Sequence, residues 1–111
     1  MVTVEKLQRG VARYLDAEIM PQMHGKDKWI MSGMATLYIN KIPSIVTSIK
    51  DKPAVRVLGI IGEDGSVDAE SVINAIRPAA RTSSAAIDFP LVGNITFSEQ
   101  DLDMLLHYIN S

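Results

Sequence analysis

Apolar residues recur at three- and four-residue steps over the first twenty positions, at Val4, Leu7, Val11, Leu15 and Ile19. This spacing places them on one face of an amphipathic helix. Thr3 is a good N-cap residue, and Glu5 lies in the first turn, where the helix dipole favours an anion. We therefore expect a helix from about Thr3 to Met20 that ends at Pro21.

The next segment, from about Asp27 to Ile49, is apolar over much more than one face. Its polar line is narrow and consists of Lys28, Ser32, Thr36 and Asn40. A helix with so broad an apolar surface is covered on two sides, either as the central core helix or with part of it in a partner interface. In a single domain of 111 residues the central-helix interpretation is favoured. Pro43 is expected to kink this helix or to start a new one that runs to about Lys50.

The middle of the chain predicts a short helix, a short strand and a longer helix. Pro53 can open a helix that ends at Leu58, before Gly59. The apolar residues between 60 and 67, on either side of an Asp-Gly turn, predict a short extra strand. Asp68 caps a third long helix, which we expect to be disrupted around Pro78.

The hydrophobic period changes to two after residue 85. Ile87 and Phe89 alternate with polar or small residues, as do Ile95 and Phe97, and a connection from Pro90 to Gly93 separates the two runs. This pattern predicts a β-hairpin that packs by one face. Ser98 then caps the last helix, with Asp101 at the third helical position as a short version of the capping box.

These elements define an α+β fold that is mostly helical, with about four helices, a C-terminal β-hairpin and a short extra strand near 60–67. The length predicts one domain over residues 1–111. Its N-terminal part, about 1–58, is helical, and its remaining part, about 59–111, mixes helix and strand.

Composition narrows the classes of function. The chain has no cysteine, which excludes disulfides, thiol catalysis and cysteine-based zinc sites. No signal peptide and no membrane span are recognisable, so we expect a soluble, intracellular protein that is cytoplasmic or virion-associated.

Residues 1–56 carry nine Lys/Arg against five Asp/Glu, and residues 57–111 carry two against eight. Such an asymmetry can steer self-association, but no basic cluster approaches a nucleic-acid footprint.

The acidic segment from Glu63 to Glu70 has the Asp-Gly turn of a calcium-binding EF-hand loop. When Gly65 is aligned to the invariant glycine, Ile60, Gly62 and Ser71 fall on ligand positions that need stronger oxygen donors. A turn followed by an Asp-capped helix explains every residue of the segment. The two histidines lie in no ligand spacing and beside no nucleophile. We expect no catalytic residue, no cofactor and no metal ligand.

Trp29, Met31 and Met34 form the best candidate interface in the sequence. Methionine suits adaptable interfaces, and tryptophan is enriched at binding hot spots. Packing within the chain's own core is the competing interpretation, because most such stripes are buried.

Several segments resemble small proteins of unknown function that phages and prophages of Gram-positive bacteria encode. The resemblance is carried by Glu5–Pro21, by Trp29, by Gly59–Gly65, and by Asp88–Ser98 leading to Asp101. It covers most of the chain and implies no catalytic residue. It implies a phage-derived gene, with a place among structural or assembly proteins.

The leading functional hypothesis is therefore a non-enzymatic interaction protein, with a virion, tail or assembly role and either itself or another protein as partner. A metal-dependent enzyme that uses the carboxylates of Glu63, Asp64 and Asp68 is the alternative from another class. A DNA-binding regulator is the third hypothesis, and it would use the basic residues Lys6, Arg9 and Arg13 of the first helix.

Overall fold

The computed structural model describes residues 1–82, 85–89 and 93–111, with all their side chains except those of 87–89 and 93. This part of the chain is mostly helical, as the sequence predicts. Its α-helices are α1 (Val4–Tyr14), α2 (Lys26–Ile49), α3 (Pro53–Leu58), α4 (Ala69–Arg81) and α5 (Glu99–Asn110). A π-helical turn (Leu15–Ile19) and a 3-10 turn (Met20–Gln22) follow α1, and two strands, β1 (Ala86–Phe89) and β2 (Gly93–Thr96), precede α5.

Three of the predicted N-caps are confirmed by hydrogen bonds to the first turn of a helix. The Thr3 hydroxyl accepts from the Lys6 N–H at 3.1 Å. The Asp68 carboxylate accepts from the Ser71 N–H at 3.2 Å. Ser98 begins a complete capping box, in which its backbone N–H also donates to the Asp101 carboxylate at 2.9 Å. Each bond satisfies a backbone or capping group that the helix end would otherwise leave unpaired.

The first helix does not end at Met20 as predicted. Regular α-helix stops at Tyr14, the π turn continues to Ile19, and a 3-10 turn carries the helical backbone through Pro21 to Gln22. Proline is tolerated here because it stands at the start of the 3-10 turn, where its missing N–H costs no hydrogen bond.

The closest packing of the fold is between α1 and α5. Gly10 of α1 lies against Ile109 of α5, and a Cβ added at residue 10 would stand 2.4 Å from the Ile109 Cα. Tyr14 is buried one turn further along α1 and meets Tyr108 edge-on, with ring centroids 6.2 Å apart. The N-terminal and C-terminal parts of the chain are thereby joined through a shared core.

The prediction that the second helix is the central core helix is wrong. Only Met31, Ala35 and Val46 of α2 are buried, and its main packing partner is α1. Helix α1 is the central element, because it packs against α2 on one side and α5 on the other. The width of an apolar surface in a sequence does not tell which part of that surface the rest of the chain covers.

Both helix-interior prolines lie within uninterrupted helices, so Pro43 does not start a new helix and Pro78 does not end one. Pro43 lies within α2, and Pro78 lies within α4. At Pro43 the carbonyl of Ile39 loses the N–H that would normally bind it. The side-chain amide of Gln8, on α1, donates to that carbonyl at 2.9 Å. The break in the backbone ladder is thus repaired by the neighbouring helix.

The strands β1 and β2 pair antiparallel over four residues each, from Ala86 opposite Thr96 to Phe89 opposite Gly93. Residues 90–92 of the connection that the sequence predicted lie outside the described residues. Near 60–67 no strand forms among the described residues. Val67 instead makes single bridges to Val2 and Ile61. The turn at Gly65 reverses the chain between Ile61 and Val67, so these two residues pair across a tight turn and not along a strand.

Matched substitutions at two helical glycines test the packing of α1 on α5. Gly10→Ala should lower the free energy of unfolding by about 1–3 kcal/mol, because the added methyl group meets backbone that cannot move aside. Gly33→Ala should raise it by about 0.5–1 kcal/mol, because alanine favours helix and a Cβ at residue 33 has nothing within 4 Å. Urea unfolding of both variants in dilute solution measures the difference. Equal effects of the two substitutions would contradict this packing.

Candidate functional site

An apolar groove of about 400 Å³ runs along one side of α2. Its walls come from α1 and the π turn, from α2, and from the segment around the start of α5. Its lining residues are Val11, Tyr14, Leu15, Met31, Ala35, Tyr38, Ile39, Ile42, Ile45, Phe97 and Leu105. The groove is open to solvent at one side. Binding sites for apolar groups are concave and lined in this way.

The groove exists because α2 touches the core along one stripe only. Met31 and Ala35 are buried and form its floor, whereas Tyr38 and Ile45 are exposed and stand at its mouth. Ile42 is half-buried between them. From the other side, Phe97 and Leu105 reach the groove and also pack against the second core cluster, around Ile73 and Leu102.

Tyr14 is a groove residue whose pKa is shifted by its surroundings. Its burial raises the pKa to about 12, with smaller contributions from the negative charges of Asp101 and Glu18. The neighbouring Tyr108 hydroxyl donates to the Glu18 carboxylate at 2.9 Å, and this bond raises the pKa of Tyr108. Both phenols are protonated and neutral near pH 7, so neither supplies a general base to the groove.

The three residues of the predicted interface, Trp29, Met31 and Met34, differ in their exposure to solvent. Trp29 is 79 % exposed, whereas Met31 is only 1 % exposed and is the most completely buried large side chain of the described residues. Met34 is half-buried against the core cluster that contains Met31. The three residues therefore do not form one surface: Trp29 projects outward, and Met31 lies at the bottom of the groove.

Two of the three carboxylates of the alternative enzyme hypothesis, those of Asp64 and Asp68, accept local hydrogen bonds. Asp64 accepts from both the backbone N–H and the hydroxyl of Ser66, and the hydroxyl bond lowers the pKa of Asp64 most. Asp68 accepts from the N–H and hydroxyl of Ser71, which lower its pKa in the same way. Within the described part of the chain, no three His, Asp or Glu side chains are grouped closely enough to hold a metal ion.

A second, polar depression of about 260 Å³ lies beside this loop, and its two cationic and two anionic lining residues give it no net charge. Arg56 and Asp51 form an exposed ion pair at 3.2 Å. The ammonium of Lys50 contacts the Glu63 backbone carbonyl at 3.4 Å. Exposed pairs of this kind contribute little free energy, and they leave no concentrated charge to attract a ligand.

The basic residues of the DNA-binding hypothesis, Lys6, Arg9 and Arg13, lie together along α1. They line a depression of about 60 Å³ next to Tyr108 and Ser111. Three cations on one helix are fewer than the phosphate contacts that give nucleic-acid binding at physiological salt.

None of the described helices has both the length and the apolarity that crossing a lipid bilayer requires.

Sequence reasoning missed most of the groove, because its walls come from segments far apart in the chain. Tyr38, Ile42 and Ile45 belong to the broad apolar surface of the second helix, but the sequence did not group them with residues of other segments. The excess of apolar residues over one helix face was the available signal. No sequence pattern connects Val11 or Leu15 with Phe97 and Leu105.

The raised pKa of Tyr14 predicts a loss of stability in alkaline solution. The folded chain holds this proton up to about pH 12, whereas the unfolded chain releases it near pH 10. The free energy of unfolding should therefore fall as pH rises from 10 to 12. Tyr14→Phe has no such proton, so its stability should fall less over this interval. Urea unfolding at several pH values compares the two proteins, and parallel curves would contradict the burial of the Tyr14 hydroxyl.

The comparison with known proteins identifies no family for this chain. No family model, no curated protein and no solved structure matches the chain. The resemblance to phage-encoded proteins thus stays a prediction from the sequence.

Proposed function

We propose that this chain is a non-enzymatic interaction protein that binds a protein partner through the apolar side of α2. The observation that carries the proposal is the distribution of exposed apolar side chains. Four of the nine large ones among the described residues lie on α2: Trp29, Leu37, Tyr38 and Ile45. A concentration of this kind on a small protein marks a binding surface.

The groove supports the same function, because it offers a concave apolar site directly beside this exposed surface. Phe97, which directly follows β2, is one of its lining residues. A groove with so little polar lining suits an apolar side chain or the apolar face of a helix. Few polar atoms line the groove, so it offers little to orient a polar small molecule.

The biological setting is part of the proposal. The resemblance of Glu5–Pro21 and of the later segments to phage-encoded proteins supports a role in a phage particle or in its assembly. The opposite net charges of residues 1–56 and 57–111 support association by contact with an oppositely charged surface. In this setting the chain acts in the cytoplasm or as part of the virion.

Site-specific cross-linking in cells that carry the gene tests this function. A photoreactive benzoylphenylalanine in place of Ile45, at the groove mouth, should give a discrete adduct with a second protein chain. The same replacement of Met104, a partly exposed residue of α5, is the matched control and should give none. The mass of the adduct identifies a second copy of the chain or a different protein.

The absence of an adduct at residue 45, with a folded and soluble protein, would overturn the proposed function. An adduct of equal yield at residues 45 and 104 would also overturn it, because it would show contact without a preferred surface.

A further inference from the structure

The chain exposes more surface than a monomer of its size. Its accessible surface is 7071 Å², whereas a folded monomer of this mass exposes about 6,100 Å². Each partner in an interface of standard size contributes about 800 Å². The surplus is therefore large enough to supply one such interface.

Much of the exposed apolar surface follows a single row of side chains on α2. Trp29, Gly33, Leu37, Lys41 and Ile45 are spaced by four residues and are all exposed. Residues at this spacing form one of the ridges by which α-helices pack. Trp29 is 79 % exposed, Leu37 is 62 % exposed and Ile45 is 50 % exposed. We call this row the α2 ridge.

The large apolar residues of the α2 ridge are placed symmetrically about Leu37. Trp29 and Ile45, both large and apolar, stand eight residues to either side of it. Gly33 and Lys41 stand four residues to either side. When two copies of the ridge are aligned antiparallel about a two-fold axis at Leu37, each large apolar residue meets another one. Each Lys41 side chain passes over the glycine of the partner, so no two like charges meet.

Gly33 is the second observation that favours close contact with another helix. Glycine inside a helix costs about 1 kcal/mol relative to alanine. Within the described chain nothing requires it, because a Cβ at residue 33 would have no atom within 4 Å. A helix from another molecule that crosses α2 at residue 33 would explain the glycine, because the absence of a side chain lets the two backbones approach closely.

We propose that the chain forms a two-fold homodimer in which the α2 ridge of one copy packs antiparallel against that of the other. This inference rests on the proposed function, since it names a second copy as the partner of the α2 surface. The two helices cross at about −50°, the angle at which ridges of this spacing run alongside each other. Trp29 of each copy then lies beside Ile45, at the mouth of the other copy's groove.

Sedimentation equilibrium tests the dimer. Wild-type protein should show twice the chain mass over part of the range from about 1 µM to about 1 mM, which covers ordinary homodimer affinities. Leu37→Glu should weaken the association at least about 100-fold, because it brings two carboxylates together at the two-fold axis. Met104→Glu makes the same change at an exposed apolar residue outside the ridge and should leave the association unchanged. Circular dichroism verifies that both variants remain folded.

A charge-pair rescue tests the antiparallel register. Gly33→Arg should weaken the dimer at least about 10-fold, because it sets a second cation against the partner's Lys41 at both ends of the ridge. Its fold should persist, since residue 33 faces open space. Combining Gly33→Arg with Lys41→Glu should restore the association, because the altered residues then attract one another between copies. Within one copy they are eight residues apart and do not touch.

A wild-type protein that stays monomeric up to about 1 mM would overturn the dimer, because contacts weaker than this are not specific complexes. A dimer that persists in Leu37→Glu but is lost in Met104→Glu would also overturn it, by assigning the contact to another surface. Failure of the double variant to recover association would overturn the antiparallel pairing. The proposed function is judged separately: a cross-linked adduct at Ile45 with a different protein supports it even when no dimer forms.

Discussion

Helices α1 and α5 approach so closely that residue 10 has no room for a side chain. A glycine there lets the backbones of α1 and α5 meet at Ile109, and this contact sets the positions of the aromatic residues around it. Tyr14 comes to lie against Tyr108, whose hydroxyl in turn holds Glu18 of the π turn. Because α1 packs against α2 and α5 packs against α4, an error in the spacing of α1 and α5 would also displace α2 and α4.

The position of α2 follows from that arrangement. Helix α1 packs against α5, so only part of its surface remains for α2. Helix α2 has 24 residues, and at 1.5 Å per residue it is about 36 Å long. The chain measures 42 Å along its longest axis, so α2 spans most of the molecule. A partner as short as α1 cannot cover a helix of this length, and the uncovered part leaves both the groove and the α2 ridge. The hydrogen bond from the Gln8 side chain to the Ile39 carbonyl links α1 to α2 near Pro43, next to the groove.

Local features of this fold could be predicted from the sequence, and its long-range arrangement could not. The caps at Thr3, Asp68 and Ser98 and the helix from Pro53 to Leu58 are confirmed, because such signals act within one turn of backbone. The central placement of the second helix was wrong, because periodicity reports which residues are apolar and not what covers them. The groove was missed for the same reason. The hydrogen bond that compensates for Pro43 could not be predicted either, because its donor, Gln8, lies on another helix.

The π turn between Tyr14 and Ile19 has a consequence for how the length of this chain can vary. In a regular α-helix, residues five apart point about 140° away from each other. Here the wider turn brings Tyr14 and Ile19 into the same buried cluster. Such a turn holds one residue more than an α-helical turn. A homologue that lacks one residue between 15 and 19 could keep an unbroken helix, but all positions after the deletion would rotate relative to α1. Insertions and deletions in this segment would therefore change which residues face α2 without changing the number of helices.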